Sequence, residues 1–209
     1  MNKYLVVAVI FVVIIITSLS FYYQLQLRQE RENHKQSCSQ IMLLYDMLKE
    51  EQEVLMKNEG CMVSKSLYLT DLKNQKIKID SLFSEGPFLV LFFSSSYCND
   101  CVNYCLTQIK DFMTKQGFNK IILFASGYQL RDLYVFARSN QFNDKCFYSM
   151  NSLNIPIEET NMPFMFIMDE KLMPSHFFIP KKEIPEQTER YLNFINEEIN
   201  STALFYENK

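Results

Sequence analysis

The chain has 209 residues, of which 48% are hydrophobic and 22% charged, with a net charge of -3. That length gives one domain with appendages and ample apolar material for a core, and the mild acidity excludes nucleic-acid binding by bulk charge. Six cysteines in so long and apolar a chain exclude a disulfide-dense mini-protein.

Residues 1–23 form the first segment. Met1-Asn2-Lys3 leads into YLVVAVIFVVIIITSLSFYY, residues 4–23, which carries no charge. A run of about 20 apolar residues crosses a hydrocarbon core as a helix, and Tyr22 and Tyr23 suit the interface. The expectation is a single-pass membrane anchor. A cleaved signal segment is the other reading, with Ser18-Leu19-Ser20 supplying small residues before Phe21. No cysteine directly follows the run, so a lipoprotein is not indicated. Lys3 on one side and Arg28, Arg31 and Lys35 on the other set no clear orientation.

Residues 24–62 are expected to form a helical stalk. Residues 24–60 contain no proline, and Gly60 is a helix stop. Ile41, Leu44, Leu48 and Leu55 recur at near-heptad spacing, a stretch short for a coiled coil. A stalk that lifts the domain from the membrane and a helix packed on the domain both remain open.

Residues 63–209 read as an α/β domain. Residues 67–83 alternate apolar and polar positions around a turn at Lys73-Asn74-Gln75, the pattern of two strands. FLVLFF, residues 88–93, is a continuous apolar run, as in a central strand buried on both faces. A helix is predicted over 98–116, a strand over 120–126, a helix over 130–140 and a strand over 146–150. After a loop with Pro156, strands are predicted at 163–169 and 175–180, joined by a turn at 169–171. A helix over 185–199 starts at Pro185. Strands alternating with helices, then a hairpin and a helix, predict a central sheet flanked by helices.

Cys98-Asn99-Asp100-Cys101 lies where the buried strand becomes a helix. Four residues make about one helical turn, so the two sulfurs can reach disulfide distance. A sulfur at the helix start faces unpaired N–H groups and the positive dipole end, which favours thiolate. Cys98 is therefore the candidate attacking thiol and Cys101 the resolving one, with Asp100 expected to raise the Cys98 pKa. Tyr97 offers an aromatic wall. The plainer readings are a structural disulfide or half of a zinc site, but no second CxxC and no paired histidines complete a metal shell. No cofactor is called for.

These residues resemble the thioredoxin superfamily, in particular its exported, membrane-tethered bacterial thiol-disulfide oxidoreductases, the redoxin and cytochrome-maturation branch. The resemblance covers residues 63–199. LYLTDLKNQKIKIDSLFSEGPFLVLFFSSSYCNDC is similar to that branch's leading hairpin, central strand and active-site turn, and NMPFMFIMDEKL to its later loop and strand. The resemblance implies a cis Pro163 facing the CxxC and a Met162 backbone able to pair with a substrate strand. It also implies protein thiols or disulfides as partners, a membrane electron donor for the reducing direction, and a domain on the exported side of the cytoplasmic membrane. Two departures stand out: Tyr97 replaces the frequent tryptophan, and Phe92 occupies the position of a buried acid that accepts a proton from the resolving cysteine.

Cys105 shares a helix face with Cys98 and Cys101. It reads either as a small buried residue or as an auxiliary thiol. Cys101 and Cys105 with His176 also resemble, poorly, the copper-delivery relatives of the superfamily, which keeps a Cu(I) metallochaperone as an alternative. A non-enzymatic anchored interaction module, acting through residues 24–60, is the other. Cys38, Cys61 and Cys146 have no readable connectivity, although a Cys38–Cys61 bridge or a Cys38 link between chains is open.

Overall fold

The computed structural model describes residues 3–58, 60–84, 86–140, 142 and 147–207; the side chains of 3–12, 43, 44, 47, 50, 51, 147 and 202–207 lie outside the description, as does Cys146. Two compact units divide at residues 52 and 53.

The first unit, Met1–Gln52, is helical over its described residues, which belong to helix α1, Lys3–Asn58. Ile41, Met42, Tyr45 and Leu48 are exposed. Among the described residues, no helix is long and apolar enough to cross a membrane. This differs from the span expected over residues 4–23. Side chains are described only from Val13 onward, and past Tyr23 the helix turns polar with Gln24, Gln26, Arg28, Gln29 and Glu30.

The second unit, Glu53–Lys209, holds one sheet of seven strands. In chain order its elements are β1 Tyr68–Asp71, β2 Lys76–Lys78, α2 Ile79–Leu82, β3 Phe88–Ser94, α3 Asn99–Gln116, β4 Ile121–Ser126, α4 Leu130–Ser139 and β5 Phe147–Met150. A 3-10 turn at Pro156–Thr160, β6 Phe164–Met168, β7 Pro174–Phe178 and α5 Pro185–Glu207 complete it. The sheet order is β2-β1-β5-β4-β3-β6-β7. Strands β3, β4 and β5 run parallel, while β6 and β7 return antiparallel beside β3. The parallel β3-α3-β4 crossover followed by the β6-β7 hairpin and a closing helix is the thioredoxin-like arrangement.

Local chemistry explains the elements. Residues 89–93 of β3 are at most 1% exposed, because strands lie on both sides and helices cover the faces. Helix α3 buries Val102, Cys105, Leu106, Ile109 and Phe112, a 3.6-residue stripe, and stops at Gly117 in the left-handed conformation (φ 65°). The β1–β2 turn is fixed by Asp71, whose Oδ1 accepts from the N–H groups of Lys73 (2.9 Å) and Gln75 (2.7 Å). The loop expected around Pro156 is a 3-10 turn, closed by Glu158, whose Oε1 accepts from the Ile155 N–H at 3.1 Å.

The last turn of α1 is part of this second unit. Val54 and Leu55 pack against its core and Asn58 is fully buried. Asn58 Nδ2 donates to the Val54 carbonyl (2.6 Å), and its Oδ1 accepts from the Ile157 N–H (3.1 Å).

Candidate functional site

The site forms at the C-terminal end of β3, where Ser94-Ser95-Ser96-Tyr97 leaves the sheet. Three bonds shape this loop. The Ser95 N–H donates to the Ser126 carbonyl (2.9 Å), the Tyr97 N–H to the Ser94 carbonyl (3.0 Å) and Ser95 Oγ to the Gly127 carbonyl (2.9 Å). Gly127 has φ +71°, and a Cβ there would sit 2.6 Å from Ser95 Oγ. Gly127→Ala is therefore expected to destabilise the domain by about 2 kcal/mol, through left-handed strain and the lost Ser95 bond. A urea-unfolding midpoint lowered at unchanged slope checks this.

Cys98 is the N-cap of α3 and is exposed. Interaction with the Cys101 thiol and with the backbone N–H groups of Cys101 and Asp100 favours its thiolate, although no N–H completes a capping hydrogen bond to the sulfur. These interactions hold the Cys98 pKa below the ordinary thiol range. The Asp100 carboxylate pulls upward, as expected from sequence, but is outweighed. Cys101, half-buried in the first turn, is raised by the same thiol–thiol interaction and by desolvation. The sulfurs of Cys98 and Cys101 are free thiols, as are Cys38, Cys61 and Cys105.

Cys105 is fully buried, and burial pushes its thiol up to about 12. It sits with Leu106 and Ile109 in the stripe that α3 turns to the core.

Tyr97 turns inward rather than standing as a wall. It is 8% exposed, its ring lies 6.4 Å from that of Phe92, and its hydroxyl donates to the Glu158 carbonyl (3.2 Å). Burial, with the Glu158 charge adding, raises its pKa to about 12. It anchors the turn before Cys98 to the 3-10 turn.

The Phe92–Phe164 pair ends the β3–β6 ladder, so Met162 and Pro163 leave the sheet at the same end as Ser94–Cys98. The Met162–Pro163 peptide is trans, which corrects the cis bond implied by the family resemblance. Asn161, left-handed at φ 54°, already turns the chain out of the 3-10 turn, and trans is the lower-energy form of an X–Pro bond by about 0.5–1 kcal/mol. Pro163 is buried and Met162 half-buried, with the Met162 N–H on Thr160 Oγ1 at 3.4 Å.

Beneath the thiols the floor is apolar. Phe92 is 1% exposed and stacks on Phe164 at 5.0 Å. Asn58 and Thr188 are the buried polar residues among those described, so no buried carboxylate stands near Cys101 there. The largest charge that reaches Cys101 is that of the Cys98 thiolate, which raises its pKa; after it come Lys182, which lowers it, and Glu183, which raises it, both exposed on the β7–α5 loop. Tyr104 holds α5 to α3, its hydroxyl donating to Thr188 Oγ1 at 3.1 Å. Lys182 stays solvated, and its charge acts on Cys101 through the tertiary fold, which no local pattern signals.

His176 is exposed on β7, its Nδ1 3.0 Å from Ser175 Oγ. Among the described residues no three histidine, cysteine or carboxylate side chains gather as a metal site, so Cys101, Cys105 and His176 are not brought together.

No protein-family model and no curated protein matches the chain. Among solved structures, the chain is similar to a peroxidoxin from Mycobacterium tuberculosis (12% identity, TM-score 0.48, 66% of this chain and 96% of that one). It is also similar to BsSco, a member of the Sco family of cytochrome c oxidase assembly proteins (8% identity, TM-score 0.48, 71% and 97%). A third likeness is to a secreted disulfide oxidoreductase of Mycobacterium tuberculosis (13% identity, TM-score 0.39, 56% and 85%). At these identities and scores the likenesses carry no functional weight. From its own strand order and crossovers, the unit Glu53–Lys209 has the fold of the thioredoxin superfamily.

Proposed function

We propose that the protein is a thiol-disulfide oxidoreductase that exchanges disulfides with protein partners through Cys98 and Cys101. The observation that carries this reading is the exposed Cys98 at the N-cap of α3, hydrogen-bonded by a thiol one turn deeper.

The exchange runs in two displacements. The Cys98 thiolate attacks one sulfur of a substrate disulfide. A Cys98–substrate bond forms, the substrate S–S bond breaks, and the departing sulfur takes a proton. Cys101 then loses its proton and attacks the Cys98 sulfur. The Cys98–Cys101 disulfide forms, the second substrate thiolate leaves, and two electrons have passed to the substrate. Run backward, the same steps oxidise a dithiol. The uncharged run 4–23 supports a membrane tether, and the disulfide chemistry of Cys98 and Cys101 suits the exported side, where a membrane donor would supply electrons for the reducing direction.

The test is covalent trapping. With Cys101→Ser, Cys98 keeps its partners as mixed disulfides, and mass spectrometry of the adducts names them. A Cys98 that stays reduced, with no adduct in cells, rejects the reading.

The surface charges make a second measurement possible. Glu183→Gln removes a charge that raises the Cys101 pKa, so resolution at neutral pH is expected to quicken. Lys182→Met is expected to slow it. Both groups are exposed, so each change stays within about fivefold. Single-turnover decay of a Cys98 adduct, followed against pH, reads both.

A further inference from the structure

Asn58 is a polar side chain in an apolar setting. It is fully buried at the end of α1, among residues that pack on the core. Both halves of its amide are committed. The nitrogen donates within its own helix, and the oxygen accepts from a backbone N–H 99 residues away. The assignment is unambiguous in hydrogen-bonding terms: a carbonyl can only accept from the amide nitrogen, and an N–H can only donate to the amide oxygen.

The residue it reaches is the second of the 3-10 turn. The next one, Glu158, offers the carbonyl to which the Tyr97 hydroxyl donates. Glu158 is fixed in turn, because its carboxylate accepts from the Ile155 N–H and from Ser152 Oγ, each at 3.1 Å. Tyr97 is buried and immediately precedes Cys98. A continuous path thus runs from Asn58 through Ile157, Glu158 and Tyr97 to Cys98. Each link is a hydrogen bond or a single peptide unit.

We infer that Asn58 is a positioning residue for the attacking thiol, holding Cys98 over the N–H groups of the first turn of α3 through the 3-10 turn and Tyr97. The inference rests on the redox reading of Cys98. A satisfied buried polar contact fixes one arrangement where an apolar contact tolerates several. The N-cap sulfur is exposed, so side-chain burial does not fix it. Its aim depends on the loop that carries it, and that loop is anchored at Tyr97.

The experiment measures the pH profile of Cys98 alkylation by iodoacetamide in the full-length chain in detergent. The variants are Asn58→Leu, Tyr97→Phe and the double, with Asn58→Ser as the milder replacement should the leucine variant not fold. Val63→Ala, a core truncation off the path, is the stability control. The expected result is an upward shift of the Cys98 midpoint in Asn58→Leu (or Asn58→Ser) and in Tyr97→Phe. The double variant should shift no further than either single one, and Val63→Ala should leave the midpoint unchanged. An Asn58 variant that loses stability but keeps the wild-type profile overturns the inference, as do additive shifts or an equal shift in Val63→Ala. A wild-type Cys98 no faster than a peptide thiol is a separate failure, that of the redox reading itself.

Discussion

Cys98→Ser is expected to lower the catalysed reduction of a disulfide substrate such as insulin by more than about 100-fold, to the rate of the reductant alone. A serine hydroxyl at the helix start receives the same N–H groups but is not ionised at neutral pH, so the first bond to substrate sulfur does not form. The partner variant behaves differently. Cys101→Ser keeps the attacking thiol, so one stoichiometric burst of adduct survives while turnover is lost. Its hydroxyl still reaches the Cys98 sulfur as a donor, but it donates more strongly to bulk water than a thiol does and cannot displace the substrate. Cys105 separates the two readings of the third thiol. It is fully buried with its pKa pushed far above neutrality, so Cys105→Ala is expected to leave exchange within about twofold and to cost only packing. Rates for the three variants, measured side by side with the adduct burst, check the assignment. Normal turnover in Cys98→Ser would remove the chemistry from this pair altogether.

Phe92→Ala is expected to cost about 3–5 kcal/mol of stability, the range for deleting a buried aromatic ring, and to lower the unfolding temperature by about 10 °C. The ring is 1% exposed and stacked on Phe164, with Tyr97 on another side. Its loss opens a void directly under the redox loop. β3 is central, paired with both β4 and β6, so neighbours cannot collapse into the gap without disturbing two ladders. Calorimetry on the variant measures the cost. A change below about 1 kcal/mol would mean that the floor is not packed as described.

Much of the fold follows from local pattern. FLVLFF reads as a strand covered on both faces and the CxxC at its exit as a helix start, and β3 and α3 are found there. The turn at Asp71–Gln75 and the hairpin around Asp169 were legible for the same reason, since side-chain carboxylates there serve adjacent backbone donors. Contacts between distant segments were not legible. Nothing local in Asn58 announces a bond to Ile157, and nothing in the β7–α5 loop announces that its charges reach Cys101. Tyr97 reads as a surface aromatic until its hydroxyl finds Glu158. The cis bond at Pro163 came from the family pattern rather than from the residues, and the left-handed Asn161 shows how this chain makes the turn without it.

The missing acid beneath Cys101 has a practical outcome. A buried carboxylate is insulated from dissolved ions, whereas side chains on an open loop sit within a Debye length of about 8 Å at physiological ionic strength. Lys182 lowers the Cys101 pKa and Glu183 raises it, both from open loop positions, so added salt should damp both effects and narrow the rate differences between Lys182→Met, Glu183→Gln and the wild type. The influence of both side chains would then track the ionic composition of the medium, a sensitivity that an enzyme with an internal proton acceptor is spared.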